Sequence, residues 1–189
     1  EEGVDRQLEA DGPEQLWVSD VTYVSTWQGF VYVAFVIHVF VRRIVGWRLS
    51  RSMRTDFVLA AFGLALYARQ LERNASLIPH SDRGSQYVSI RYTAPLAQAG
   101  IEPSVGSKGA SYDNALAETI NGLYKAELIH RRAPLKTVES LELATLEWVT
   151  WFNHQRLLES LGYISPAEAE NRYYLQLAAQ AAQAEHACT

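Results

Sequence analysis

The chain has 189 residues, 48% of them hydrophobic, with five Trp and ten Tyr, enough apolar material for one sizeable packed domain and too much for a disordered chain. A formal charge of −4 argues against a nucleic-acid partner until its distribution is read: residues 1–16 hold six acids against Arg6, so everything from Trp17 onward sums to +1. A single cysteine, Cys188, excludes an internal disulfide framework or a cysteine-based zinc cluster, and the longest apolar run, Phe30 to Ile37, is far too short to span a bilayer, so we expect a cytoplasmic protein with no membrane partner.

The acidic leader, residues 1–15, is expected to be flexible. Leu16 to Tyr23 alternates and is rich in Trp, Val and Tyr, which predicts a strand, and Thr26 to Gly29 supplies a turn. Phe30 to Phe40 reads as a nearly continuous apolar strand and Arg43 to Leu49 as a third, together an antiparallel meander. Arg42, Arg43, Arg48, Arg51 and Arg54 follow one another without an intervening acid, and Arg131, Arg132 and Lys136 form a second basic group; either suits phosphate, although solvated surface is the commoner fate of such runs.

Thr55 to Arg73 is rich in Ala and Leu behind Thr55, a potential N-cap, and predicts a helix of about five turns. Leu77 to Pro79 leads into the polar loop "HSDRGSQY"; Tyr87 to Ala99 suggests a helix interrupted near Pro95, and Ile101 to Val105 a short strand. After the loop "GSKGAS", Asp113 or Ser111 is placed to cap a helix through Ala115 to about Ile129, with Gly122 marking close packing, ligand approach or a tolerated surface position. Thr137 to His154 is a further amphipathic helix, and Ser165-Pro166 opens the last, expected to fray past Leu175. Strands first, alternation next and helices last describe a mixed sheet flanked by helices. The five Trp, at 17, 27, 47, 148 and 151, read most simply as core.

Three acids stand out: Asp20 in "LWVSDVTYV", Asp82 in "PHSDRGSQY" and Glu118 in "SYDNALAETINGLYKAEL". They fall in a strand, in a loop at a strand end and on a helix. An Asp in an otherwise apolar strand is costly without a partner, and strand-end loops are where sites form. Converging carboxylates repel one another unless cations neutralise them, and magnesium accepts such an all-oxygen site with phosphate oxygens completing it. Two ions about 3.5–4 Å apart would suit phosphodiester cleavage and transfer. Lys125, seven residues after Glu118, points the same way from the helix. By spacing alone, accident is the commoner account of the trio.

The strings "LWVSDVTYV", "FVRRIVGW", "HSDRGSQY", "PSVGSKGASYDNALAETINGLYKAELI" and "WFNHQRLLESLGYISPAEAE" resemble the catalytic core of bacterial insertion-sequence transposases of the IS-three family, relatives of retroviral integrases, from about Gln15 to Glu170. The resemblance implies a ribonuclease-H-like α/β fold, a mixed five-stranded sheet with an antiparallel meander plus parallel strands, flanked by helices. It makes 16–170 the catalytic core and 171–189 a C-terminal helical tail. It implies that Asp20, Asp82 and Glu118 bind two Mg2+ or Mn2+ ions, that water nicks the element end, and that the freed 3′-hydroxyl attacks another phosphodiester. The implied partners are transposon-end and target DNA, on which the chain assembles as a homo-oligomer in association with the bacterial nucleoid. Lys125 matches the family's basic residue on the Glu helix; Asn114, Lys108, Arg42 and Arg43 are further candidates for DNA contact.

Other positions stay open. His38 stands where the family often has Asp; His80 orients a ligand or packs a strand end; Asn114 positions Glu118 or starts a helix; Asn153, His154 and Arg156 join structure to DNA contact. The chain as given starts in the acidic leader without the helix-turn-helix segments such transposases use on their ends. A non-catalytic remnant or regulator, or a stand-alone nuclease of the same fold, is therefore the alternative.

Overall fold

The computed structural model describes residues 16–69, 78–81, 110–132 and 135–187. Within them, strands β1 (Leu16–Thr26), β2 (Gly29–His38) and β3 (Ile44–Ser50) form the antiparallel meander. Strand β4 (Ile78–Ser81) lies parallel to β1 on its other side, giving the order β3-β2-β1-β4. The sheet is therefore mixed and, among the described residues, four-stranded. The expected fifth strand at Ile101 to Val105 and the helix at Tyr87 to Ala99 lie outside those residues.

Helix α1 (Thr55–Arg69) covers one face of the sheet. Helices α2 (Ala110–Tyr124) and α3 (Val138–His154) cover the other, and α4 (Pro166–Ala187) closes the chain. The burial pattern explains the unbroken apolar run of β2. Val31, Val33, Phe35 and Ile37 pack with Leu116, Ile120, Tyr124, Trp148 and Phe152, whereas Ala34 and Val36 pack with Phe57, Val58, Ala61 and Phe62. A strand buried on both faces has no solvent side to mark with polar residues. Gly46 on β3 lets α1 approach closely, since a Cβ there would stand 2.4 Å from the Ala61 carbonyl oxygen.

The β1–β2 turn is Trp27-Gln28, closed by Gly29 at φ 106°, a conformation that glycine adopts without strain. Thr26 stabilises it, accepting from the Gln28 N–H at 3.2 Å and donating to the Gly29 carbonyl at 2.8 Å.

Three expectations need correction. Helix α2 starts at Ala110, so Ser111 and Asp113 lie inside it and not ahead of it. Helix α4 does not end near Leu175 but continues to Ala187, because "QLAAQAAQAEHA" is rich in Ala, Leu and Gln and a helix already nucleated extends through such residues. Trp27 and Trp151 are exposed and do not join the core, unlike Trp17 and Trp148; one sits at a hairpin turn and the other on the outer side of α3. Of the readings open for Gly122, close packing drops out, since it is exposed with nothing near its Cβ position, as a tolerated surface glycine is.

Asn153, weighed between structure and DNA contact, is structural: buried on α3, it accepts from the Ile44 N–H at 2.9 Å and donates to the Ile44 carbonyl at 2.8 Å. It thereby satisfies both backbone groups of Ile44 at the start of β3. Arg156 pairs with Glu127, which also accepts from the Trp148 indole N–H at 3.1 Å. His38 is fully buried and His154 exposed. Among the described residues no helix is long and apolar enough to cross a membrane.

Candidate active site

Side chains alternate along β1, with Val18 and Val24 packing toward α2 and α3 and Trp17 toward α1. Asp20 shares the parity of Val18 and Val24. Its carboxylate therefore faces α2, and the contacts bear this out: Asn121 Nδ2 on α2 donates to Asp20 Oδ2 at 2.6 Å, while the Val21 N–H donates to Oδ1 at 2.8 Å. One oxygen is held by a neighbouring helix and the other by the strand itself. That holds the carboxylate plane, as charge-assisted hydrogen bonds do in partly buried surroundings.

Asn121 follows Glu118 by three residues and precedes Lys125 by four, so all three share one side of α2 and its continuation. The buried residues of this helix are Leu116, Ala117, Ile120, Asn121 and Tyr124; Glu118 is exposed at their margin. After Tyr124 the helix widens into a π-helical turn, Lys125–Ile129, whose Lys125 carbonyl accepts from the His130 N–H at 2.9 Å. Such turns occur often at functional sites. This one sets the Lys125 ammonium 4.8 Å from the centre of the Tyr23 ring on β1.

The third acid, Asp82, lies outside the described residues. Its covalent neighbour is informative: Ser81 at the end of β4 is registered opposite Ser19, the residue before Asp20. Helix α2 packs against both strands.

Of the residues named for DNA contact, Lys108 lies outside the described residues, and Asn114 is on α2 one turn before Glu118. Arg43 is engaged in an ion pair with Glu170 of α4, where both are largely shielded. Arg42 follows the β2 turn at φ 59°. Asn121 was not singled out from sequence. The signal for it is a polar residue among the apolar positions 117, 120 and 124 of the buried helix face, one turn from Glu118.

The donors present fit a hard divalent cation. Asp20 and Glu118 offer carboxylate oxygens, and a carboxylate has about four lone-pair sites, so it can serve hydrogen-bond donors and a cation together. Among the described residues no group of three or more His, Cys, Asp or Glu is placed to hold a metal; the set of three requires Asp82. A cleft of about 390 Å³ lies elsewhere, lined by Glu127, Arg131, Arg132, Glu147 and Trp151 among others.

Known proteins resemble this chain in sequence and in fold. Residues 10–111 match the Integrase core domain family, and residues 99–166 match a second Integrase core domain profile. The transposase for insertion sequence element IS629 of Shigella sonnei is 59% identical over 174 residues, 92% of this chain and 57% of that protein. Transposase InsF for insertion sequence IS3A of Escherichia coli is 33% identical over 170 residues, 89% of this chain and 58% of that protein. The chain thus spans somewhat more than half the length of these relatives. Among solved structures, the HTLV-2 integrase catalytic core domain in complex with magnesium superimposes with a TM-score of 0.66 at 15% identity, covering 86% of this chain and 99% of that one. At that identity the likeness concerns the fold, the ribonuclease-H-like α/β architecture of retroviral integrase cores.

Proposed function

The chain belongs to the integrase core domain family, and from that premise we propose that it is the catalytic core of an insertion-sequence DNA transposase, which cuts a DNA strand and joins the freed end to another. Asp20, Asp82 and Glu118 are the ligands of two Mg2+ or Mn2+ ions in this reading. The observation that carries it is the Asp20 carboxylate, clamped at 2.6 Å by the helix that bears Glu118 and Lys125, beside the strand whose last residue precedes Asp82. When bound, the metal pair supplies an activated attacking oxygen and charge stabilisation for the leaving one.

The protein's own groups orient the reaction. Asn121 and the Val21 N–H keep the Asp20 oxygens in one plane. Lys125, on the same side of the helix as Glu118, binds a phosphate next to the reacting one. Lys108, Asn114, Arg42 and Arg43 are candidates for flanking phosphates, Arg43 only when its pairing with Glu170 is exchanged. In the first step water adds to phosphorus and the element's 3′-oxygen leaves as a hydroxyl; in the second that hydroxyl attacks a target phosphodiester and displaces the target's 3′-oxygen. Neither step needs a covalent enzyme intermediate. DNA ends and target are the partners, with homo-oligomers assembling on the ends and the work done at the nucleoid in the cytoplasm.

The test is strand joining on labelled element-end DNA with magnesium or manganese, run beside a branched DNA that mimics the joined product, so that the reverse reaction is read without end recognition. Wild type should give joined products on the first or resolve the second. Asp82→Asn and Glu118→Gln should each lose at least about a hundredfold in rate. Cleavage without joining would replace the reading with a nuclease, and inertness on both substrates with a non-catalytic remnant.

A further inference from the structure

The β1–β2 hairpin bears three large aromatic side chains on its outside: Trp27, Phe30 and Tyr23 are 68%, 61% and 57% exposed. Tyr23 and Phe30 meet edge to face, their ring centres 5.7 Å apart. Cations accompany the rings. The Lys125 ammonium lies 4.8 Å from the centre of Tyr23, the Lys136 ammonium 5.0 Å from that of Trp27, and the Arg51 guanidinium donates to the Gln28 side chain at 2.9 Å beside Trp27. These cations come from the π-helical turn, the approach to α3 and the segment after β3, so the fold collects them where no sequence run does. Glu139 is close enough to Arg51 to feel its charge, and the three cations named outnumber it.

Rings alternating with cations are what an unpaired polynucleotide strand requires. Bases stack on aromatic faces regardless of their identity, and phosphates fall beside ammonium and guanidinium groups. A protein partner would call for a different surface, because lysine is depleted from the buried centre of protein interfaces. Duplex DNA withholds its base faces from such rings. Tyr23 has the opposite parity to Asp20 on β1, and Lys125 links the strip to the candidate active site by lying over the Tyr23 ring; the seven steps from Asp20 to Trp27 span about 23 Å, room for a few nucleotides.

We propose that Tyr23, Phe30 and Trp27, with Lys125, Lys136 and Arg51, hold a single DNA strand that runs from the active site along the β1–β2 hairpin. The unpaired strand at a cut or frayed end is its occupant; that direction rests on the catalytic reading above, while the stacking chemistry does not.

The test is binding without chemistry. A short fluorescein-labelled oligothymidylate and a duplex with the same number of phosphates are titrated into the chain carrying Glu118→Gln, in EDTA, by anisotropy and tryptophan fluorescence. Expected are preference for the single strand, quenching of Trp27, and a loss of about five- to a hundredfold in single-strand affinity for Trp27→Ala or Tyr23→Ala. Trp27→Phe should restore most of it, and Lys136→Gln should lower the slope of log affinity against log salt by about 0.7. The rings are exposed, so an unchanged thermal midpoint should accompany these variants. Affinity unchanged by both ring truncations, or an equal loss on single strand and duplex, would overturn the proposal. So would a Trp27→Ala chain that only changes its state of self-association in sedimentation, since a second copy would then be the occupant. Because metal is absent, a failure of strand joining leaves this result standing, and a failure of stacking leaves the chemistry standing.

Discussion

Asp20 depends on a residue that the sequence does not advertise. The strings around Asp20 and Glu118 marked both acids, whereas Asn121 is one more polar residue on a helix until β1 is docked beneath it. Once docked, its amide donates to Asp20 Oδ2 at 2.6 Å while its own Oδ1 is buried without a hydrogen-bond partner among the described residues. Groups that orient a metal-binding carboxylate typically contribute 10–100-fold in metal affinity. Asn121→Ala should therefore weaken Mn2+ binding by about that factor, measured by calorimetric titration, with the urea midpoint monitored alongside. Equal Mn2+ affinity in variant and wild type would reduce Asn121 to packing. Gly46 makes a contrasting case, structural and equally hidden. A methyl there would meet the Ala61 carbonyl at 2.4 Å and the Ala65 Cβ at 2.9 Å, backbone and core that cannot yield cheaply. Gly46→Ala should cost about 1–3 kcal/mol in urea unfolding, with metal binding per folded molecule unchanged.

Elements with a strong local signal were readable, and those defined by tertiary contact were not. Thr137 illustrates the first kind: its hydroxyl accepts from the Ser140 N–H at 3.1 Å, and Ser140 Oγ accepts in return from the Thr137 N–H at 3.2 Å, a reciprocal cap at the start of α3. The meander was equally legible, since β-branched and aromatic runs broken by Gly29 and by Val41–Arg43 leave few alternatives. The start of α2 was missed because Ser111 and Asp113 read as caps, and the helix begins one residue before the first and three before the second. The π-helical turn has no sequence signature at all. Thr137→Ala should cost about 1 kcal/mol. The same cap carries a pH dependence. The Glu139 carboxyl is held below its ordinary value by a hydrogen bond from its own backbone and another from Thr137. A carboxyl whose pKa falls on folding stabilises above the unfolded value of 4.5 and loses that contribution as pH falls through the folded one. Urea midpoints taken between neutral pH and about pH 3 should thus fall less steeply for Thr137→Ala than for wild type; parallel curves would detach Glu139 from the cap.

At the scale of the molecule, the question is where the core stops. Resemblance to the family suggested a boundary at Glu170, but Glu170 itself is buried and paired with Arg43, and Tyr173 packs edge to face on Phe40 at 5.2 Å. Helix α4 is thus part of the fold for its first two turns, fastening the β2–β3 connection to the end that follows α3. Beyond Tyr173 its described side chains are all exposed, including Leu175 and Leu177, so their burial contributes little to folding. The boundary we propose falls after Leu175. A chain ending there keeps the Arg43–Glu170 pair and the Phe40–Tyr173 contact and should unfold within about 0.5 kcal/mol of the full chain, as substitutions remote from packing do. A chain ending at Glu168 loses both, leaves Arg43 without its carboxylate, and should lose about 1.5–3 kcal/mol for that charge-assisted bond alone. Urea unfolding of the two truncations separates the outcomes. If the shorter cut is harmless, α4 is an appendage and the sequence boundary at 170 stands; if removal of 176–189 already destabilises the fold, the exposed half of α4 has a packing role in solution, and sedimentation of the same chain would show whether a second copy supplies it.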